Sequence, residues 1–187
     1  VVRFIVQAMP QRTSTVDYLK RHIPTLEVCW DRRKWAFGTF MDALRLADGD
    51  PCVHLEDDII LTVDFVREIE EVIAARPNAL IQFFSMRQAD LTQGSRWDRK
   101  FAMNQCWYCP AGYGPRFLAY AARWMADNPE DKQGGYDTMM NAALKDWKTP
   151  YWLHVPSLVQ HRVGKSLIGP RSSKRQSATF MAPTKDS

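Results

Sequence analysis

The sequence predicts a single α/β domain in which a central, mostly parallel sheet is flanked by helices. Three observations carry this. Up to Phe84, short apolar runs alternate with stretches of helical periodicity, in the order strand, helix, strand, helix, strand, helix, strand. The 187 residues are enough for one sizeable core, and neither an internal repeat nor a second domain boundary is visible. At 45% hydrophobic and 25% charged residues, the composition is that of a soluble globular protein and excludes collagen, coiled-coil and wholly disordered chains. No run of about 18 apolar residues is present to span a bilayer.

The elements follow in order. Arg3 to Met9 (RFIVQAM) is a buried strand that stops at Pro10. This N-terminal apolar run is too short for a signal peptide. Asp17 to His22 is a short helix ended by Pro24. Leu26 to Trp30 is a second strand, closed by Asp31. Trp35 to Ala47 carries Phe37, Phe40, Met41 and Leu44 at helical spacing, and Gly49-Asp50-Pro51 breaks it. Cys52 to Leu55 is a third strand running straight into Glu56-Asp57-Asp58. Asp64 is the expected N-cap of a helix with Phe65, Val66, Ile69, Val72 and Ile73 on one face. Pro77-Asn78 ends that helix, and Ala79 to Phe84 is a fourth strand. Ser85 to Arg99 is polar and is expected as a long loop. Beyond it come a strand at Phe101 to Tyr108, a helix at Phe117 to Met125, a helix at Asp137 to Trp147 after Gly134-Gly135, and a last strand at Trp152 to Val155.

Four cysteines make no disulfide framework in a chain of this length. Cys106 and Cys109 form a Cys-x-x-Cys, but on a strand residues three apart face opposite ways and chelate poorly. Structural, reduced cysteines and hence a cytoplasmic location are the expectation. Charge is unevenly placed. Residues 1–161 hold 19 Lys+Arg against 20 Asp+Glu, whereas residues 162–187 hold six basic residues against Asp186. A cationic end of this kind suits phosphate on a nucleotide or a nucleic acid, or is simply a solvated tail.

Three clusters could carry chemistry. In His54-Leu55-Glu56-Asp57-Asp58 an apolar strand ends in three consecutive carboxylates, which are costly to bury together unless a cation neutralises them. A divalent cation with oxygen ligands is the natural one. The bland alternative is a solvated acidic turn. His161, shortly after the last strand, could add a neutral imidazole, with Lys165 and Ser166 nearby for a diphosphate. Asp137, after Gly134-Gly135-Tyr136, is either a helix cap or a carboxylate general base. Trp97, Trp107, Tyr113, Tyr136 and Trp152 suit sugars or bases, though core packing is the commoner use of such residues.

Taken in order, the first strand with its Pro-containing exit, the Asp31 that ends strand two, the Glu56-Asp57-Asp58 triplet, Gly-Gly-Tyr-Asp and Pro-Ser-Leu-Val-Gln-His resemble a nucleotide-sugar-dependent glycosyltransferase of the GT-A (Rossmann-like) fold. The resemblance covers about residues 3–169, which makes 1–169 the catalytic domain and 170–187 a basic tail. It implies that the triplet is the family's Asp-x-Asp motif with Glu in first place. Ala8, Met9, Pro10 and Arg12 would then meet the nucleoside, and Asp31 would bond the base or ribose. Glu56 and Asp57 would approach the nucleotide-sugar, and Lys165 its diphosphate. Asp58 and His161 would ligate Mn²⁺ or Mg²⁺, and Asp137 would deprotonate the acceptor. The donor implied is a UDP-sugar. A small transferase with a basic tail fits a polyanionic acceptor such as a hydroxymethylated pyrimidine in DNA, the acceptor of certain phage enzymes; saccharide or lipid-linked acceptors are the alternative. A metal-dependent nucleotidyltransferase or phosphohydrolase would also use a carboxylate triplet, but the phosphate-cradling Gly-rich loop or additional His ligands usual there are missing from the sequence.

Overall fold

The computed structural model describes residues 2–129, 135–163 and 175–183. Among the described residues nine strands and six α-helices follow one another. The first half holds β1 (Arg3–Ala8), α1 (Thr13–His22), β2 (Glu27–Trp30), α2 (Ala36–Ala47), β3 (Cys52–Glu56), β4 (Ile59–Leu61), α3 (Phe65–Ala75) and β5 (Ile81–Gln82). The second half holds α4 (Asp90–Gln93), β6 (Arg96–Asp98), β7 (Cys106–Cys109), α5 (Tyr113–Asp127), α6 (Tyr136–Asp146), β8 (Tyr151–Leu153) and β9 (Val159–His161). Seven strands form one sheet in the order β2-β1-β3-β7-β5-β8-β6, and β4 pairs with β9 in a separate ribbon.

The sheet is mixed. β1 lies between β2 and β3, parallel to both, and β5 runs parallel to β8. β7 enters antiparallel between β3 and β5, and β6 is antiparallel on β8. Strand alternation then builds two cores. Phe4, Val6, Val53, Leu55, Cys106 and Tyr108 face one side, packed on α1 through Val16 and Leu19 and on α3 through Phe65, Ile69 and Ile73. Ile5, Cys52, Trp107 and Cys109 face the other, packed on Phe40 and Leu44 of α2, Phe117 of α5 and Met139 and Met140 of α6. The Cys-x-x-Cys pair is thus split between opposite faces of β7, and all four cysteines are free thiols.

The close packing of α2 has a specific cause. At Gly38 any Cβ would run into the Trp35 ring, so only glycine lets that indole lie across the helix start. Inside the same core, His54 is fully buried, its ring 5.4 Å from Trp107 and 5.6 Å from Phe40, and neither ring nitrogen finds a partner among the described residues.

Several expectations are corrected. Asp64 occupies the N-cap position of α3, but its carboxylate takes Arg67 at 2.7 Å instead of a helix N–H. The expected 85–99 loop contains α4 and β6, held by Arg87–Asp98 at 2.5 Å and Arg96–Asp90 at 2.7 Å. The strand expected at 101–108 is confined to β7, and α1 begins earlier than expected, at Thr13. The tail is not wholly an appendage. Gln160 clamps Ser177 through both ends of its amide, at 2.8 and 3.1 Å, and Ser177 Oγ bonds Ser157 Oγ at 2.8 Å. Gln176 donates to the His161 carbonyl at 2.9 Å. No described helix is long and apolar enough to cross a membrane.

Burial drives the His54 pKa down to about 3. A depressed histidine stays neutral in the fold while the unfolded chain takes up a proton. Stability is therefore lost as pH falls below the unfolded value near 6.5. One such group contributes a slope of about 1.4 kcal/mol per pH unit in that window. Urea unfolding of His54→Phe between pH 6 and 5 is expected to show a stability–pH slope shallower than wild type by about that amount; equal slopes would mean that the imidazole reaches water in the fold.

Candidate functional site

In an open α/β sheet, ligands bind beyond the carboxyl ends of the strands, where the strand order reverses. Here the chain leaves β1 for β2 on one side and returns to β3 on the other, so the reversal falls between β1 and β3. The carboxyl end of β1 is Ala8-Met9-Pro10, and that of β3 is Glu56-Asp57-Asp58. Asp31, at the end of β2, joins them, its backbone N–H donating to the Ala8 carbonyl at 2.7 Å. Its Oδ1 accepts the backbone N–H groups of Arg33 and Trp35, so it shapes the loop entering α2.

The three carboxylates have different surroundings. Asp57 turns inward: Oδ2 accepts the Met9 N–H at 2.8 Å and Oδ1 accepts Arg12 Nη1 at 2.7 Å. Both oxygens are therefore spent on the β1 exit. Asp57 thus braces the loop at the β1 exit. Burial raises its pKa, a rise that the Met9 and Arg12 hydrogen bonds oppose.

Asp58 sits between two elements. Its Oδ2 lies 2.7 Å from Arg12 Nη1 and 3.3 Å from His161 Nε2. Its backbone carbonyl accepts the Arg162 N–H at 2.7 Å, continuing the β4–β9 ribbon that pairs Ile59 with His161. That ribbon is what delivers His161 to the triplet from the far end of the chain. Burial works against the charge of Asp58, but His161 and Arg12 outweigh it and hold its pKa below the usual carboxylate value. In return the Asp58 hydrogen bond raises His161 above an ordinary imidazole.

Glu56 points to the α2–α6 face. Its Oε1 accepts the Tyr136 hydroxyl at 2.7 Å, and its Oε2 accepts Gln105 Nε2 at 3.2 Å. Burial, with the neighbouring Asp58 charge, pushes its pKa up to about 7. Tyr136 also stacks on Phe40 at 4.5 Å, which fixes the start of α6 over the end of β3. Asp137 follows it in the first turn, with Gly135 at the N-cap position. Asp137 is therefore not the N-cap, and its Oδ1 accepts the neighbouring Thr138 N–H at 2.9 Å.

Ala8, Met9, Pro10, Arg12, Asp31, Glu56, Asp57, Asp58 and His161 thus converge at one sheet edge, and Asp137 lies one residue from the Glu56 partner. Lys165 and Ser166 lie outside the described residues. Tyr136 and Gln105 as partners of Glu56 are not visible in the sequence, although Tyr136 stands inside the Gly-Gly-Tyr-Asp motif. Nor is the bridging position of Arg12. Arg175, from the docked C-terminal segment, is close enough for its charge to oppose the rise at Glu56.

Among the described residues no group of three or more His, Cys, Asp or Glu side chains forms a metal cage. Two side chains nevertheless offer donors to a cation, Asp58 through its carboxylate and His161 through Nε2, the ring nitrogen that faces Asp58 at 3.3 Å. Asp58 Oδ1 and His161 Nδ1 are buried and lack any hydrogen-bond partner among the described residues. A carboxylate suits Mg²⁺ or Mn²⁺, which take their other ligands from water and phosphate, whereas an imidazole is a softer donor better matched to later transition metals.

No family model matches the sequence, and no curated protein matches it. Among solved structures, A197 from STIV is similar over 98% of each chain at 12% identity, with a TM-score of 0.47. A likeness that loose says nothing of substrate or chemistry.

Tyr136→Phe keeps the stack on Phe40 and removes the hydroxyl that Glu56 accepts. The expected loss is about 1.5–3 kcal/mol of stability, the usual worth of a hydrogen bond to a charged group. Denaturant unfolding at pH 8 checks it, and a loss under about 0.5 kcal/mol would show that water replaces the hydroxyl at no cost.

Proposed function

We propose that the protein is a metal-dependent glycosyltransferase that moves a sugar from a nucleotide-sugar, a UDP-sugar in the first instance, to an acceptor hydroxyl. One observation supports this above the others. Asp58 and His161 Nε2 meet at 3.3 Å at the β1/β3 reversal, and Asp58 Oδ1 is buried without a partner among the described residues.

In this reading the β1 exit, braced by Asp57, receives the nucleoside beside Asp31. Glu56, oriented by Tyr136 and Gln105, approaches the ribose. Asp58 and His161 would hold Mn²⁺ or Mg²⁺, which when bound neutralises charge on the leaving diphosphate. The acceptor oxygen attacks the anomeric carbon while the bond from that carbon to the diphosphate oxygen breaks. Asp137 takes the acceptor proton, and the nucleoside diphosphate departs. A base acting in line implies inversion at that carbon.

Asp58→Ala is expected to abolish metal-dependent release of UDP from UDP-sugars and leave the circular dichroism unchanged. Wild-type turnover in that variant would remove the metal assignment. Asp137→Asn is expected to cut kcat at least 100-fold, the lower range for general base catalysis, while UDP affinity stays within about twofold. Near-normal turnover would leave Asp137 with a structural role alone.

The acceptor we propose is a hydroxymethylated pyrimidine in DNA, because the last 26 residues carry six of the basic side chains against a single acid. Binding to such DNA is expected to weaken with salt by roughly 0.9 log unit per phosphate contact for each log unit of salt. Replacing Arg171 and Lys174 with Gln is expected to flatten the slope. Salt-insensitive or absent binding by the wild type would point to a saccharide or lipid-linked acceptor.

A further inference from the structure

The carboxylates at the end of β3 already hold a cation, and it belongs to the chain. Arg12 Nη1 lies 2.7 Å from Asp57 Oδ1 and 2.7 Å from Asp58 Oδ2, so one guanidinium nitrogen bridges both side chains. The bridge is not an accident of a long exposed side chain. Arg12 closes a 3-10 turn at Pro10–Arg12, its N–H donates to the Met9 carbonyl at 2.9 Å, and its own carbonyl accepts the Thr15 hydroxyl at 2.7 Å. Its side chain is only 19% exposed.

The two carboxylates are not equivalent partners for it. Asp57 is fixed, because its second oxygen is held by the Met9 N–H. Asp58 has an alternative, because His161 Nε2 stands 3.3 Å from the same Oδ2, and its Oδ1 is without a partner among the described residues. Arg12 can thus leave Asp58 while keeping Asp57. Two physical consequences follow. A divalent cation arriving alone must share Asp58 with a guanidinium of like charge, which opposes its binding. A phosphate arriving alone must draw the guanidinium from Asp58 and leave that carboxylate facing its own negative charge. Arriving together, the two ligands relieve both conflicts. The phosphate offers two oxygens to the planar guanidinium, a two-point contact that arginine matches well, and the vacated Asp58 oxygen receives the metal ion.

We propose that Arg12 is the positioning residue that makes this site accept a divalent cation and a phosphate-bearing ligand as a pair, by passing from Asp58 to the phosphate as the metal ion takes its place. The proposal rests on the metal and nucleotide reading of the site given above. It names the ligand class as a metal–diphosphate complex rather than a free ion or an uncharged nucleoside. Coupling of this kind is reciprocal: the diphosphate must tighten the metal ion by the same factor by which the metal ion tightens the diphosphate.

The test is Mn²⁺ binding to the full chain, followed by loss of the free-ion electron paramagnetic resonance signal, with protein-free titrations to subtract chelation by the anion. It is run for wild type, Arg12→Met and Arg12→Lys, each alone, with UDP, with uridine and with inorganic pyrophosphate. In wild type, UDP is expected to tighten Mn²⁺ at least tenfold and uridine less than twofold. In Arg12→Met, Mn²⁺ alone is expected to bind at least tenfold tighter than in wild type, and the enhancement by UDP is expected to fall below threefold. Arg12→Lys keeps the charge that the fold needs but cannot span two acceptors as a planar fork, so an intermediate shift is expected there even if the Met variant does not fold. Mn²⁺ affinity and UDP enhancement equal to wild type in the Lys variant would overturn the proposal, as would wild-type Mn²⁺ binding indifferent to both UDP and pyrophosphate. Enhancement by pyrophosphate but not by UDP would overturn the nucleotide reading and support the role of Arg12. No Mn²⁺ binding by the wild type under any condition would overturn both.

Discussion

The structure depends on the need to neutralise three consecutive carboxylates at the buried end of a central strand. Leaving them uncompensated would cost several kcal/mol each. The fold meets this by giving each a different partner from a different part of the chain. Asp57 takes the Met9 N–H and Arg12, Asp58 takes Arg12 and His161, and Glu56 takes Tyr136 and Gln105. Those partners lie on the β1 exit, the last ribbon strand, the start of α6 and the approach to β7. Satisfying the triplet therefore aligns the elements that surround the sheet edge. The interactions that keep the fold from breaking at its acidic end also draw the β1 exit, the β4–β9 ribbon and the start of α6 together.

The parts of the fold legible in the sequence are those with long, regular patterns. β1, β3, α2 and α3 are marked by continuous apolar runs or helical spacing and by strong breakers such as Pro10, Gly49-Asp50-Pro51 and Pro77. β4, β6 and β9 are not legible, because three residues carry no period and their stability comes from partners distant in sequence. Ile59 needs His161, and Trp97 needs Trp152. Polar residues conceal the 85–99 segment in the same way: Arg87, Asp90, Arg96 and Asp98 look like a loop until they are seen to pair with one another. The α/β alternation survives all of this, since it depends on the long elements.

For the candidate site, residue types were readable and pairings were not. A triplet of acids at a strand end announces a need for cations, whatever supplies them. That Arg12 supplies one from within the chain depends on a tight turn after β1, and no spacing rule links positions 12 and 58. That Asp57 serves the β1 exit while Asp58 reaches His161 is something two adjacent identical residues cannot reveal. His161 was legible as a residue of interest only in company with the carboxylates, and the β4–β9 ribbon is the physical reason it reaches them.

The two outer strands of the sheet have a bearing on how the molecule behaves in a crowd. An unpaired strand edge is a template on which a second chain can add, the first step toward aggregates. Here one edge is β2, four residues long, where Glu27 is gripped by Arg3 through two hydrogen bonds at 2.6 and 2.7 Å. The other is β6, three residues long, with Arg96 and Asp98 on either side of Trp97. Short, charged and side-chain-tethered edges leave few free backbone groups in register. Although the sheet is seven strands wide, both of its margins are poor templates for growth by strand addition.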